Sequence, residues 1–394
     1  MRILHFLPVY APAWQFGGPV LSVSRLCEGL AKEGADVRVI TTTAGLPNWP
    51  KAQTGVPVTH DGVPVTYYPV DRQGGPIRSR ALERALPEVM EGVDLLHLSS
   101  IWQPLGVPVQ QAALKRGIPV LSSLRGALGP YSLRRGWWKK LPWFLLRERP
   151  LLQWAAGLHV TSSQEATELR GLGLRAPRFL LPNPLDLSHL RPDPEQGLRW
   201  RLDQGLDPKQ PLLLVCGRLH HKKGLDLLPA ALAPLAHRPW QLVVVGQDAD
   251  GSGLRLRRAF ERTGLAERVH WRNTMAATAL GGAYNAADLL LLPSRHENFG
   301  NVVVEALACG ARVLISDRTG VGGDLRDCPF ATVRPRRTAD WSGTLAAWLE
   351  RPERGGAEAA QWAAAHYGQP MVARRAMEIY AEILQTRFDC PRRP

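Results

Sequence analysis

A chain of 394 residues with 45% hydrophobic content is long enough for two globular domains, and without an apolar run near 20 residues we expect no membrane-spanning helix. Its 49 Lys and Arg against 35 Asp and Glu give a net charge of +14, which predicts an anionic partner such as a nucleotide, a nucleic acid or a membrane. The five cysteines are scattered without a C-x-x-C motif, which predicts reduced core thiols in a cytoplasmic protein rather than a disulfide framework.

The first half of the chain alternates strand and helix patterns. Residues 2–8 are too short for the apolar region of a signal peptide and are predicted to form the first strand. Further strands are predicted at 37–43, 63–69, 94–98, 119–123, 157–161 and 179–181. Helices are predicted at 20–33, 79–89, 107–116, 139–155 and 163–172. This alternation predicts a doubly wound parallel sheet.

A proline-rich stretch, 181–194, is predicted to link this half to a second one of the same kind. Strands are predicted there at 212–216, 241–245, 269–272, 288–292 and 312–315. An amphipathic helix over 370–387 closes the chain. The pattern therefore predicts an α/β protein with two sheets.

Two glutamates lie eight residues apart after the predicted strand 288–292. Glu297 precedes a short helix at the carboxyl end of this strand, where open α/β sheets bind ligands. Eight helical residues would place Glu305 about 12 Å further along the axis. Backbone amides from Asn298 to Asn301 suit anionic or hydroxyl-rich groups, and Gly300 allows a close approach to the main chain. We expect one ligand to be held at two points.

Cations follow the predicted strand 212–216, where Gly217 leads into Arg218 and a loop that reaches Lys223. A helix is predicted to begin at about Gly224. A planar guanidinium and a compact ammonium both suit a diphosphate. Taken singly, the two glutamates would more often be structural, and Arg218 or Lys223 would more often be a solvated surface charge. Because both sets follow strand ends of one predicted sheet, together they favour a sugar-nucleotide site.

With these residues the chain resembles the retaining glycosyltransferases of family 4 (group 1 glycosyl transferases), which have the GT-B fold. Gly217-Arg218-Leu219 with Lys223-Gly224 resembles their phosphate-binding loop, 293–310 their E-x7-E signature, and Gly17-Gly18-Pro19 their N-terminal glycine loop. The resemblance implies two Rossmann-like domains facing a central cleft. Residues 1–184, completed by a C-terminal helix over 370–394, would bind the acceptor, and residues 185–369 would bind the sugar nucleotide.

The resemblance also implies a role for each matching residue. Glu297 would contact the hydroxyls of the donor sugar and Glu305 those of the ribose, while Arg218 and Lys223 would stabilise the leaving diphosphate. Backbone amides near Phe299 and Gly300 would hold the sugar, and Gly18 would let the N-terminal loop close over the phosphates.

The reaction implied is retaining transfer of a hexose from a UDP- or GDP-linked donor through a front-face ion pair. No metal and no other cofactor is expected from the resemblance, and the sequence has no His/Cys cluster with the spacing of metal ligands. The acceptor expected is a saccharide or a lipid-linked sugar in the assembly of cell-surface polysaccharide or lipopolysaccharide, and a polyprenyl-diphosphate sugar if residues 134–147 contact a membrane.

The acceptor side departs from the family pattern. Many members carry a histidine after the strand 119–123, where this chain has Arg125, and an arginine cannot act as a base. His97 lies near the end of the strand 94–98 and would face the cleft, with Trp102 nearby, although a purely structural histidine is the favoured alternative. We therefore place His97, Trp102 and Arg125 on the acceptor side as a hypothesis.

Residues 134–147 mix cations with tryptophans, including Trp137 and Trp138. Such a segment can lie in a membrane surface with its tryptophans at the headgroup level, which would place the protein at the inner face of the cytoplasmic membrane. An equally good alternative is a helix packed on the first domain, with its tryptophans lining an acceptor groove or the core.

Two other classes of protein stay open: a sugar-nucleotide epimerase on the same fold, and a basic protein that binds anions or nucleic acid without catalysis. No nucleic-acid recognition motif is present, so we expect no nucleic-acid partner. The first predicted strand lacks a following G-x-G-x-x-G, which argues against a dinucleotide-dependent dehydrogenase.

Overall fold

In the computed structural model, which describes residues 1–134, 136–275 and 277–386, the chain divides into two units. Unit 1 comprises Met1–Pro184 and the chain from Gln369 onward, and unit 2 comprises Leu185–Gly368. Three predicted features lie outside the described residues: Arg135 in the aromatic segment, Cys390, and the last part of the C-terminal helix, 387–394.

The sheet of unit 1 has eight strands: β1 Arg2–Val9, β2 Asp36–Thr42, β3 Pro57–His60, β4 Val63–Tyr68, β5 Leu95–Leu98, β6 Val120–Ser123, β7 Gly157–Val160 and β8 Arg178–Leu180. Their order is β3-β4-β2-β1-β5-β6-β7-β8, and every pairing is parallel except that of β3 with β4. The chain winds outward in both directions from β1 and β5, so the switch in strand order lies between these two strands.

Helices cover both faces of this sheet, which is why β5, β6 and β7 are buried along their whole length. They are α1 Gly18–Lys32, α2 Arg80–Val89, α3 Gly106–Lys115, α4 Pro130–Arg134, α5 Trp137–Trp143, α6 Arg149–Gln153, α7 Ser163–Glu168 and α15 Gln369–Thr386. Ser162 caps α7 by accepting the amide hydrogen of Glu165. The apolar side of α15, including Val372, Ile379 and Tyr380, joins the same core cluster as α1, β1 and β2.

The sheet of unit 2 has six strands: β9 Leu212–Cys216, β10 Gln241–Val245, β11 Val269–Arg272, β12 Leu289–Leu292, β13 Arg312–Ser316 and β14 Ala331–Arg334. All are parallel, in the order β11-β10-β9-β12-β13-β14, with the switch in strand order between β9 and β12. Its helices are α8 Pro194–Asp203, α9 Leu227–Leu232, α10 Ser252–Arg262, α11 Ala277–Ala286, α12 Asn301–Ala308, α13 Thr338–Glu350 and α14 Gly356–Tyr367.

The structure departs from the predicted elements at several places. The strands β3 and β14 are half-exposed edge strands without a strong apolar pattern, and neither was predicted from the sequence. The helix predicted over 139–155 is three pieces, α5, a π-helical turn over Phe144–Glu148, and α6. Pro142 lies inside α5 and cannot donate an amide hydrogen bond, which favours such a change of helix type. The helix expected at about Gly224 begins instead at Leu227.

Across the described residues, none of the helices combines the length and apolar character that crossing a membrane requires.

Candidate functional site

The predicted charged residues of unit 2 lie on loops that follow the two strands flanking the switch in strand order. Arg218 and Lys223 follow β9, and Glu297 follows β12. Because both strands are parallel neighbours, their carboxyl ends meet at one edge of the sheet. The two loops are also tied directly, since the amide of Arg295 donates to the carbonyl of Lys222 at 2.7 Å.

Lys223 and Glu297 form an ion pair across these loops. The Lys223 Nζ and a Glu297 carboxylate oxygen lie 2.5 Å apart, with side-chain exposures of 19% and 23%. A charge-assisted hydrogen bond of this kind holds both side chains in place before a ligand arrives. The structure therefore brings together two residues that the sequence analysis assigned to different parts of a ligand.

The loop that carries Glu297 is fixed by the segment after β13. The Glu297 amide donates to the Arg318 carbonyl at 3.1 Å, and the Gly320 amide donates back to the Glu297 carbonyl at 2.8 Å. A side chain at Gly320 would collide with the carbonyl of Asn298, so the close approach requires glycine. This support was not predicted from the sequence, although the Gly-Val-Gly-Gly run after the predicted strand 312–315 is a signal for it.

The start of α12 presents its backbone rather than its side chains. Phe299 is only 2% exposed and packs edge-on against Tyr367, at 5.7 Å between ring centroids, so its contribution to a ligand would be its amide. Gly300 caps the helix at φ 100°, a conformation that favours glycine. Asn298 and Asn301 are half-buried at the same turn. Amides of a helix's first turn have no partner within the helix, which suits anionic or hydroxyl groups.

Glu305 is the fifth residue of α12, and it does not follow Glu297 by two helical turns as the sequence predicted. Because Glu297 stands in the loop before the helix, the spacing of about 12 Å expected for eight helical residues does not apply. The Glu305 carboxylate accepts a hydrogen bond from the Tyr284 hydroxyl at 2.7 Å. Burial raises the pKa of Tyr284 well above its usual value, so this hydroxyl stays a donor. Nothing in the sequence around Tyr284 indicated this contact.

Arg218 is exposed at the carboxyl end of β9. Nearby, the amide of Lys222 donates to Nδ1 of His220 at 3.2 Å, which caps the turn that ends at Lys223. This loop therefore concentrates positive charge at one end of the sheet.

Two groups of described residues have spacing suited to a metal ion: His220, His221 and Asp250, and Glu28, His60 and Asp61. In the first group Nδ1 of His220 already accepts an amide hydrogen, so the neutral ring carries its proton on Nε2, facing Asp250 at 3.6 Å. His221 Nδ1 lies 2.9 Å from the same carboxylate. A hydrogen-bonded turn explains this arrangement without an ion.

In unit 1, Gly18 is the first residue of α1, and the space where its side chain would stand is open. The residue that needs glycine is its neighbour Gly17, which caps the helix at φ 79°. The role in loop closure assigned to Gly18 stays a prediction.

His97 belongs to a buried chain of hydrogen bonds and does not face open space. Its Nε2 lies 3.0 Å from Nδ1 of His159, and its Nδ1 lies 2.8 Å from the Tyr380 hydroxyl. Both ring nitrogens of His97 are hydrogen-bonded and the residue is 1% exposed, so the prediction that His97 contacts the acceptor is wrong. The alternative, a purely structural histidine, agrees with the structure.

The direction of this chain follows from its last member. Nε2 of His159 lies 2.8 Å from the Leu181 carbonyl, which only accepts, so this nitrogen carries the proton. His159 Nδ1 then accepts from His97 Nε2, and His97 Nδ1 accepts from the Tyr380 hydroxyl. Tyr380 in turn accepts from Nε2 of His5 at 3.3 Å. The chain is complete only while His97 and His159 are neutral, because each of them accepts at Nδ1, whereas His5 donates from Nε2. Burial lowers the pKa of His5 and of His159 to about 3, and that of His97 well below its usual value.

Trp102 and Arg125 occupy the loops after β5 and β6. Trp102 donates its indole hydrogen to the Ala127 carbonyl at 2.9 Å and packs against Phe144. Arg125 donates to Ser22 Oγ at 2.7 Å and to Asn183 Oδ1 at 3.0 Å. Burial lowers the pKa of Arg125 to about 10, so it remains charged at neutral pH.

Two family models match the chain. The one described as "Glycosyl transferase 4-like domain" matches residues 17–184, and the one described as "Glycosyl transferases group 1" matches residues 198–353. D-inositol 3-phosphate glycosyltransferase 2 of Catenulispora acidiphila is 29% identical over 97% of this chain and 94% of that relative.

Solved structures share the fold along nearly the whole chain. Sucrose-phosphate synthase from Thermosynechococcus elongatus has a TM-score of 0.70 at 22% identity, covering 98% of this chain and 100% of that structure. HepE of Anabaena in complex with UDP-glucose has a TM-score of 0.71 at 18% identity, covering 97% and 100%. These likenesses confirm the predicted fold class, two parallel-sheet α/β domains of the GT-B type.

Proposed function

We propose that this chain, which belongs to the group 1 glycosyl transferases, moves a hexose from a nucleotide-diphosphate sugar to a saccharide or lipid-linked acceptor with retention at the anomeric carbon. The observation that supports this proposal most is the Lys223–Glu297 pair at the switch in strand order of unit 2, with Glu305 on the helix that follows. A UDP-linked donor is favoured over a GDP-linked one because the HepE structure contains UDP-glucose.

The proposed donor contacts use the geometry of unit 2. Glu297 would accept hydrogen bonds from sugar hydroxyls and Glu305 from the ribose, while the first amides of α12 would hold the sugar. Lys223 and Arg218 would lie against the diphosphate. Preorganised donors aimed at developing negative charge are commonly the largest contribution to catalysis.

In the proposed step, the bond between the anomeric carbon and the diphosphate oxygen breaks and its electron pair leaves with the diphosphate. The acceptor hydroxyl attacks the short-lived oxocarbenium ion from the face that the diphosphate has left, and its proton passes to a diphosphate oxygen. This route needs no protein base, which fits Arg125 in place of the family's histidine. We also propose that it proceeds without a metal or other cofactor, in the cytoplasm.

Ligand-induced stabilisation tests the donor. We expect one of UDP-, GDP- or ADP-glucose to raise the unfolding temperature, since a ligand at 100 times its Kd contributes about 2.7 kcal/mol. Glu305→Gln should weaken that binding by roughly 10- to 150-fold, the loss of a charge-assisted hydrogen bond worth about 1.5–3 kcal/mol. Glu261→Gln, at an exposed site on α10, is the control. Equal binding by both variants would remove Glu305 from the donor site.

A sugar-nucleotide epimerase on the same fold is the competing proposal. It would convert the donor without any acceptor, so analysis of the donor sugar after incubation alone distinguishes the two reactions.

We further propose that unit 1 contacts an anionic membrane through its aromatic segment. Trp137 and Trp138 are each 62% exposed and Leu146 is 75% exposed, so the alternative in which these tryptophans fill the core is wrong. Between residues 130 and 154 the sequence contains one carboxylate, Glu148. It is buried, where it accepts from the Trp143 indole at 2.9 Å. The exposed side of this segment therefore carries aromatic, apolar and cationic groups together, as interfacial segments do.

Binding to vesicles tests this surface. Vesicles containing phosphatidylglycerol should bind the protein at physiological salt, and pure phosphatidylcholine vesicles should bind it less. Replacing Lys139 and Arg147 with alanine should weaken binding by about 2 kcal/mol, roughly 30-fold, at about 1 kcal/mol for each cation. Trp137→Ala/Trp138→Ala should also weaken it, whereas Leu198→Ala/Leu202→Ala, a pair exposed on α8, should not. No binding at low salt would contradict the membrane proposal and leave the transfer reaction untouched.

A further inference from the structure

One arginine joins the two loops that carry Lys223 and Glu297 in unit 2. Lys223 lies on the loop after β9, and Glu297 lies on the loop after β12. Arg336, in the connection between β14 and α13, hydrogen-bonds to both loops. It is 112 residues from its contact at Gly224 and 43 residues from its contact at Pro293. Only the fold brings these three segments together.

The guanidinium of Arg336 binds one backbone carbonyl of each loop. Its Nε donates to the Pro293 carbonyl at 3.1 Å, and its Nη2 donates to the Gly224 carbonyl at 3.0 Å. Both of these residues are buried, where a carbonyl without a hydrogen bond is costly. The fixed, planar donors of an arginine can span two acceptors, whereas the ammonium of a lysine is a single point charge. The contact therefore fixes the distance between the two loops.

The two loops approach each other so closely at Gly224 that only glycine fits. Gly224 has φ 61°, and a side chain there would collide with the Pro293 carbonyl and come within 2.6 Å of the Arg336 Nε. The Lys222 carbonyl also accepts an amide hydrogen from the loop after β12, at 2.7 Å. The backbone is therefore held to the neighbouring loop on both sides of Lys223.

Asp226 orients the Arg336 side chain. One of its carboxylate oxygens accepts from Nη2 of Arg336 at 2.8 Å, and the other accepts from Arg295 at 2.7 Å. The Asp226 side chain is 59% exposed, whereas that of Arg336 is 19% exposed. Because an ion pair open to water contributes little to stability, pairing with Asp226 does not by itself account for an arginine that lies against two carbonyls.

We propose that Arg336 is a positioning residue, which holds the Lys223 ammonium in place opposite Glu297 by joining the backbone after Lys223 to the backbone that leads to Glu297. The inference rests on the proposed transfer reaction, in which Lys223 meets the leaving diphosphate. Arg336 acts only through Lys223. Since a displacement of about 1 Å can cost about 100-fold in rate, loss of Arg336 should lower kcat by roughly 10- to 100-fold.

Two substitutions at Arg336 separate its hydrogen bonds from its charge. Arg336→Ala removes both, and Arg336→Lys keeps a cation beside Asp226 but cannot bond both carbonyls. We expect each to lower kcat by roughly 10- to 100-fold. Arg334→Ala, at an exposed arginine that ends β14, is the matched control and should keep normal turnover. Normal turnover by Arg336→Lys would overturn the inference, because charge alone would then be enough.

A double-mutant cycle separates positioning from stability. In the Lys223→Ala background there is no ammonium to position, so Arg336→Ala should lower kcat further by roughly threefold at most. A purely structural role would instead reduce the folded fraction, and with it the rate, by the same factor in both backgrounds. Circular dichroism of all four proteins measures that fraction. Equal losses of kcat in the two backgrounds would overturn the inference.

Hydrogen exchange tests the same contact without donor or acceptor. In both Arg336 variants, peptides covering 218–226 and 293–300 should exchange about three- to tenfold faster, as expected for the loss of a hydrogen bond between the loops. Exchange in Arg334→Ala should be unchanged. Unchanged exchange in the Arg336 variants overturns the inference and leaves the transfer reaction standing. If the unmodified protein transfers no sugar from any donor, the transfer reaction fails and Arg336 has no Lys223 step to support, whatever the exchange rates.

Discussion

Alanine at Lys223 is expected to lower kcat by 100- to 1000-fold, the loss of about 2.7–4 kcal/mol that follows removal of one donor to a developing oxyanion. The ammonium of Lys223 stands 2.5 Å from Glu297 on a loop tied to its neighbour by backbone hydrogen bonds, so its position needs little reorganisation during the reaction. Arg218→Ala should lose activity on the same scale. The measurement is the turnover number at saturating donor, once the donor screen has identified it.

The Lys223 variant leaves Glu297 half-buried without its cation, so folding must be checked by circular dichroism before rates are compared. Lys209→Ala, which removes an exposed lysine shortly before β9, is the charge-matched control and should keep normal turnover. Near-normal turnover in both the Lys223 and Arg218 variants would show that these cations do not stabilise the leaving group.

Acidification from pH 7 to pH 5 is expected to destabilise unit 1 by roughly 6 kcal/mol, about 2 kcal/mol for each of the three buried histidines. The pKa of each of His5, His97 and His159 is lowered in the native state, chiefly by burial. The unfolded chain therefore binds more protons below about pH 6.5. The stability that these neutral rings contribute is fully present above that pH and falls as the pH drops towards about 3, where His5 and His159 titrate in the native state.

The effect is large because native proteins are stable by only about 5–15 kcal/mol in total. Burial also raises the pKa of Glu165, which acts with the opposite sign in the lower part of this window. Hydrogen exchange as a function of pH measures the opening of unit 1 through peptides from β1, β5 and β7, with peptides from β9 and β12 as an internal comparison.

His5→Gln separates titration from packing, since the glutamine amide can replace Nε2–H as a donor to Tyr380. We expect this variant to reduce the pH slope by about one third. His237→Gln, at an exposed position in unit 2, should leave it unchanged. A pH slope in unit 1 no steeper than that of unit 2 would contradict the neutral state of the three buried histidines.

Local pattern was enough for the strands that position the site. The predicted strands 212–216, 241–245 and 269–272 have the observed bounds. For the first two the reason is local, because a short apolar run between turn residues specifies a buried parallel strand wherever it pairs. The charged residues after β9 and β12 could be found in the same way, because each group directly follows an apolar strand pattern in the sequence. The family signature added their proposed roles.

The pairings between segments that are distant in the sequence depended on the tertiary structure. Lys223 and Glu297 are separated by 74 residues and meet because β9 and β12 are neighbours in the sheet, an order that no local periodicity encodes. Tyr284 reaches Glu305, and His97 is buried by His159 and Tyr380, through contacts of the same non-local kind. The sequence by itself determined the strands other than β3 and β14, and it determined which side chains could bind or react. Only the folded sheets decided which of these side chains are neighbours, because burial and pairing depend on strand order and packing rather than on the residues adjacent in the chain.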